Sequence, residues 1–111
     1  MMSEYLIAHV PDDVDWRGDI HNDEGVSRFH TIQTPNSTVA DTIESAWFKQ
    51  DGDPLMPAVA GSQQQNAARS RHVGGVNGLL CDSSVTFYTN EIAVNVWAAL
   101  GTMNGDEAPT P

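Results

Sequence analysis

The stretch from Val76 to Gly101 constrains the fold more than any other, because two local patterns follow one another in it. Val76 to Leu80 and Val85 to Thr89 are short runs rich in β-branched, aromatic and apolar residues, separated by Cys81-Asp82-Ser83-Ser84. In the second run Val85, Phe87 and Thr89 fall on one face and Thr86 and Tyr88 on the other, which is the two-residue period of a strand. The pair reads as a hairpin over 76–89. Asn90 then stands where a helix N-cap belongs. From Glu91 to about Leu100 the apolar residues Ile92, Val96 and Leu100 share one helical face with Trp97 beside them, and Gly101 supplies the stop.

The rest of the chain is less regular. Tyr5 to Val10 is apolar on both alternating faces and predicts a strand covered on both sides. Pro11 to Gly25, dense in Asp, Asn and Gly, reads as a loop. Phe29 to Ile32 suits a short strand before a turn at Pro35-Asn36-Ser37. Thr42 to Gln50 fits a helical turn or a strand equally well. Residues 51–68, with two prolines, two glycines and a Gln/Asn run, predict a long surface loop and the poorest place for a core. Residues 106–111 read as a loose tail. The expected class is α+β, mostly β: one domain over 1–111 built on an antiparallel sheet, with one short C-terminal helix (91–100).

The 111 residues and 40% hydrophobic content suffice for one modest core. Five basic against fifteen acidic side chains give a formal charge of -10, which repels a nucleic-acid backbone or an anionic membrane and favours cations or a basic partner. Cys81 is the single cysteine, so no internal disulfide can form. Its place at an apolar strand end predicts a buried, inert thiol. No apolar run approaches the ~18 residues of a membrane span, and Met1 to Val10 lacks the basic start and apolar centre of a signal peptide. A strand directly after Met1 suggests a fragment of a longer parent.

The run Ala68-Arg69-Ser70-Arg71-His72-Val73-Gly74-Gly75-Val76-Asn77, with His72 followed by nine residues and Asp82-Ser83, resembles the end of a planctomycete-type prepilin-like family of unknown function. That family carries a His, nine-residue, Asp-Gly signature, as in prepilin-type processing-associated domains. The likeness continues through Ser84 to Phe87, the Trp97 to Thr102 helix end and Gly105-Asp106-Glu107. Upstream it takes in Asp15-Trp16-Arg17-Gly18 and Thr34-Pro35-Asn36-Ser37. Its signature positions here are His72, Gly74, Gly75, Asn77, Asp82 and Trp97. Ser83 stands where the family has Gly, and a side chain at a positive-φ turn position costs roughly 1 kcal/mol. The resemblance implies a pseudopilin-like globular part without its N-terminal helix, and an extracellular, cell-surface or periplasmic place.

His72 and Asp82 form an acid/base pair on paper, but no nucleophile or oxyanion donor is placed beside them. The structural reading has His72 bracing the hairpin entry and Asp82 bonding turn amides. Asp13, Asp15, Gly18 and Glu24 fall at the first, third, sixth and twelfth places of a calcium loop, with Asp19 and Asp23 nearby. Arg17 occupies the fifth place, where an oxygen ligand belongs, so the alternatives are a non-helical calcium loop or a solvated acidic loop in which Arg17 pairs locally. His9, His21, His30 and His72 show no short ligand spacing. Trp16 and Trp47 are candidates for glycan stacking, whereas Trp97 has the spacing of a core residue.

The expected function is therefore a structural or binding domain, engaged in self-assembly or with protein partners and with calcium as its candidate cofactor. The alternatives are a small metal- or His72/Asp82-dependent hydrolase of ester- or lactone-like bonds, and a carbohydrate or cell-wall binding module.

Overall fold

The computed structural model describes residues 1–7, 15, 17–18, 28–43 and 53–102. Its elements in chain order are β1 (Met2–Ser3), β2 (Asp41–Ile43), β3 (Ala58–Ala60), β4 (Gly75–Leu79), β5 (Val85–Thr89) and α1 (Val94–Leu100). The architecture is mostly β, with an antiparallel sheet and one short C-terminal helix, as the sequence predicts.

The hairpin is the organising unit. β4 and β5 pair antiparallel with Gly75 opposite Thr89 and Leu79 opposite Val85, and β1 adds to the other side of β4, with Met2 opposite Leu79. Gly75 and Gly78 allow this close pairing. A Cβ at Gly75 would sit 2.2 Å from the Tyr88 carbonyl, and one at Gly78 would sit 2.6 Å from the Tyr88 ring. The face of Val76 and Tyr88 turns inward. There Val76, Ala68 and Trp97 are fully buried, with Met1, Phe29, Ile92 and Leu100 packed around them. Trp97 lies 5.4 Å from the Tyr88 ring and 6.2 Å from the Phe29 ring, the core position expected of it, whereas Ile92 precedes the helix and packs on the core from outside it.

Several expectations need correction. The first strand is Met2–Ser3; Tyr5 to Ile7 forms no strand, and the remainder of that run lies outside the described residues. Phe29 to Ile32 is irregular. Its ordering comes from His30, which exchanges backbone and ring hydrogen bonds with Asn66. The helix begins at Val94 with Ala93 at its N-cap and no side-chain cap, because the Asn90 side chain is engaged by Asn36 instead. Gly101 ends the helix with φ -83, so its freedom from a side chain matters for space: a Cβ there would meet Thr31 Oγ1 at 2.3 Å.

Residues 53–68 are mainly irregular, yet they are not poor in core. β3 pairs in parallel with β2, Thr42 bridges to Gln65, and Met56, Asn66, Ala67 and Ala68 are buried. The open choice for Thr42 resolves as strand, and 44–50 lies outside the described residues. Cys81 is exposed in the hairpin turn, not buried, because the strand ends two residues earlier at Leu79.

Candidate functional site

Polar junctions hold the base of the hairpin to the rest of the chain, and His72, Gly75 and Asn77 of the signature take part in them. Glu4, just after β1, reaches the start of β4 from the other end of the sequence. One of its carboxylate oxygens accepts the Asn77 amide at 2.6 Å, the other lies 2.9 Å from His72 Nε2, and its carbonyl accepts the Arg69 amide at 3.0 Å. His72 is over half exposed and stands edge-on to Phe87, 6.5 Å between ring centres. It braces the hairpin entry, but through Glu4, which sequence reasoning missed.

Asp82 sits at the opposite end of β4, where it accepts the Ser84 amide at 2.9 Å and the Ser84 hydroxyl at 2.6 Å. These bonds from the Ser84 side chain and backbone hold its carboxyl below the usual range. The strand between the two residues rises about 13 Å, so the fold does not bring His72 and Asp82 together. Ser83 has φ 71, so the turn does demand the left-handed conformation for which glycine is suited. Gly74 has φ 84, which accounts for glycine there.

Asn36 forms a second junction. Its side-chain amide donates to the Gly75 carbonyl at 3.2 Å and to Asn90 Oδ1 at 2.9 Å, and its own Oδ1 accepts the Ser70 amide at 2.8 Å. The Ser70 hydroxyl donates to the same Gly75 carbonyl at 2.6 Å. Asn36 adopts φ 52, a conformation asparagine tolerates better than most residues. The Pro-Asn-Ser turn is thus a pin driven into the hairpin base.

The third junction is a buried ionic cluster. Asp41 on β2 receives Arg69 in a two-pronged pair, Nε to Oδ2 at 3.0 Å and Nη2 to Oδ1 at 2.8 Å, and receives Arg17 Nη1 on Oδ2 at 2.6 Å. Arg17 Nε lies 3.0 Å from both oxygens of Asp15. The remaining guanidinium donors go to the carbonyls of Ser37, Val39, Met56 and Pro57. Arg17, Asp41 and Arg69 are each about 2% exposed or less. Burial alone would lower the Arg17 pKa, but the adjacent Asp15 and Asp41 carboxylates raise it above the ordinary value. Burial, reinforced by the negative charge of Asp41, likewise pushes the Tyr5 phenol up.

This cluster changes the reading of the acidic loop. Arg17 does pair locally with Asp15, but the pair is buried and extends to Asp41, where a solvated pair was expected. Asp15 therefore faces a guanidinium. Asp13, Asp19, Asp23 and Glu24 lie outside the described residues, as do Trp16 and Trp47. Among the described residues no group of three or more His, Cys, Asp or Glu is arranged to hold a metal, and no helix is long and apolar enough to cross a membrane. Shallow depressions of about 190 and 280 Å³ border β1 and the Phe29 segment. Neither gathers His72 with Asp82.

Asp41 and its partners left one faint sequence signal: a carboxylate between Val39-Ala40 and Thr42-Ile43, in a chain with only five basic residues. A family model described as a protein of unknown function, DUF1559, matches residues 1–95. No curated protein and no solved structure matches the chain.

Proposed function

This chain belongs to the DUF1559 family, the prepilin-like family its signature resembles, and from that premise we propose that it is a non-catalytic structural or binding domain of an exported, pseudopilin-like protein. The observation that carries this reading is that the polar groups of the signature, the His72 and Asp82 side chains and the Asn77 backbone amide, are already taken by contacts within the chain. His72 binds Glu4, Asp82 binds Ser84, and the Asn77 amide is taken by Glu4. A catalytic pair needs its two groups within hydrogen-bond reach of one substrate, and these two lie at opposite ends of a strand.

His72→Ala and Asp82→Asn, assayed for both folding and turnover of simple esters and lactones, test the proposal. Both variants should stay folded with small losses in unfolding midpoint, and neither the variants nor the parent chain should hydrolyse the substrates above background. Hydrolysis by the parent chain that disappears in folded His72→Ala would replace this reading with a hydrolase. Export is tested by fractionating cells that make the protein; recovery in the cytoplasm alone would remove that part.

A further inference from the structure

We propose that the outer edge of β5 docks an extended segment of a partner protein, with basic residues on both sides of an uncharged centre, which joins the sheet as a further strand. The proposal rests on the binding-domain reading above and gives it a surface.

β5 ends the sheet order β1-β4-β5. The Leu80 amide donates to the Ser84 carbonyl and the Asn90 amide to the Gly74 carbonyl, each at 2.9 Å. With the register of the pair, this makes Ser84, Thr86, Tyr88 and Asn90 the residues whose main chain faces β4. Alternation turns the amide and carbonyl of Val85 and of Phe87, and the amide of Thr89, toward the open edge. Among the described residues these groups have no protein partner; the Thr89 carbonyl is taken by the Ile92 amide. Val85 is 66% and Phe87 46% exposed, so nothing packs over the side-chain face of β5 at these positions either.

Sheet edges are ordinarily guarded by lysine, proline, a bulge or extreme shortness. The five residues Val-Thr-Phe-Tyr-Thr carry none of the first three and pair in regular register along their whole length. A row of alternating donors and acceptors at strand spacing is complementary to one kind of object, another extended backbone.

Charge selects which backbone. Asp82 precedes β5 and Glu91 follows it, both exposed, in a chain of formal charge -10. If a second copy paired antiparallel about Phe87, Asp82 of each chain would lie near Glu91 of the other, placing like charges at both ends. A partner strand flanked by Lys or Arg meets both carboxylates with opposite charge and is drawn in by the field of the whole molecule.

The test is titration of the isotopically labelled full chain with the peptide Lys-Lys-Thr-Val-Thr-Val-Thr-Lys-Lys and with its counterpart bearing Glu for every Lys. The basic peptide should shift the amide resonances of Val85, Phe87 and Thr89, and bind more weakly as salt rises. The acidic one should bind about tenfold more weakly or worse. Val85→Pro removes an outward donor without removing a ladder bond, and Phe87→Lys guards the edge with charge; each should reduce binding about tenfold, and the second stands if the first does not fold. Shifts confined to other residues, equal binding of the two peptides, or no binding would overturn the proposal. So would concentration-dependent self-pairing of β5 without peptide, which would make a second copy the occupant. None of these outcomes bears on the hydrolase test, so the two readings fail separately.

Discussion

Asp41 accepts four hydrogen bonds on its two oxygens, three from guanidinium groups and one from the Ala67 amide, in a place from which water is excluded. Removing its charge leaves Arg69 and part of Arg17 buried without a counter-ion, and breaking a buried pair in this way costs about 3–5 kcal/mol. Asp41→Asn should therefore lower the unfolding free energy by that amount in urea titration. His72→Ala, which removes the contact with Glu4 from a side chain more than half exposed, should lower it by less than about 1 kcal/mol. Equal effects would mean that the buried cluster is not what holds β2 to the signature segment. Ser83 offers the opposite sign. Its φ of 71 is strained for a side chain, so Ser83→Gly should raise stability by about 1 kcal/mol in the same assay.

At the scale of elements, the hairpin and helix depend on Asn36, which bonds Gly75, Asn90 and Ser70 from a turn some forty residues upstream in the sequence. Two substitutions separate its roles. Asn36→Gly keeps the left-handed backbone accessible and loses the three side-chain bonds, a loss of about 1–3 kcal/mol; Asn36→Ala adds about 1 kcal/mol of backbone strain. The glycine variant should thus melt above the alanine variant and both below the parent, as followed by circular dichroism. The same junction explains what the sequence could convey. The β4–β5 hairpin and the short helix that buries Trp97 are legible because their information is local: a period of two, a turn, an apolar run closed by Gly101. The helix starts later than local pattern predicts because Asn90, a good cap on local grounds, is claimed by Asn36, a contact no local pattern announces. Residues 53–68 read as a loop from their Pro, Gly and Gln content, yet Met56 to Ala68 is held by Asp41 and Thr42 through long-range bonds. The calcium spacing and the His72 to Asp82 spacing were both visible, while the partners that occupy those groups, Arg17 with Asp41 and Glu4 with Ser84, became evident only in three dimensions.

For the molecule as a whole, the excess of acidic groups raises two solution questions, metal and pH. Two of the places in the Asp13 to Glu24 spacing that should present oxygen are accounted for: Asp15 faces a guanidinium, and Arg17 is itself that buried cation. Thermal unfolding should accordingly have the same midpoint in millimolar calcium and in chelator, and a calcium-dependent rise would show that the loop rearranges to bind the ion. The response to pH turns on His30. Its Nδ1 accepts the Asn66 amide at 3.2 Å, and burial, together with the charge of Arg28 and against that of Asp41, lowers its pKa below the ordinary value. Well above the ordinary value of about 6.5 the ring is neutral in both folded and unfolded chains and contributes no pH dependence. As pH falls below that value the unfolded chain takes up a proton that the folded chain resists, so stability declines until the pH passes the lower, folded value, beyond which the penalty is constant. Other groups titrate over the same range, and neutralising part of the -10 charge relieves self-repulsion, so the parent curve alone would mix opposing effects. The difference between parent and His30→Gln isolates the ring: on going from pH 7.5 to 5.5 the parent should lose more of its urea midpoint than the variant. A parent chain that gains on the variant over that interval would mean that His30 is protonated in the folded state and that the Asn66 bond is not the one the ring makes in solution.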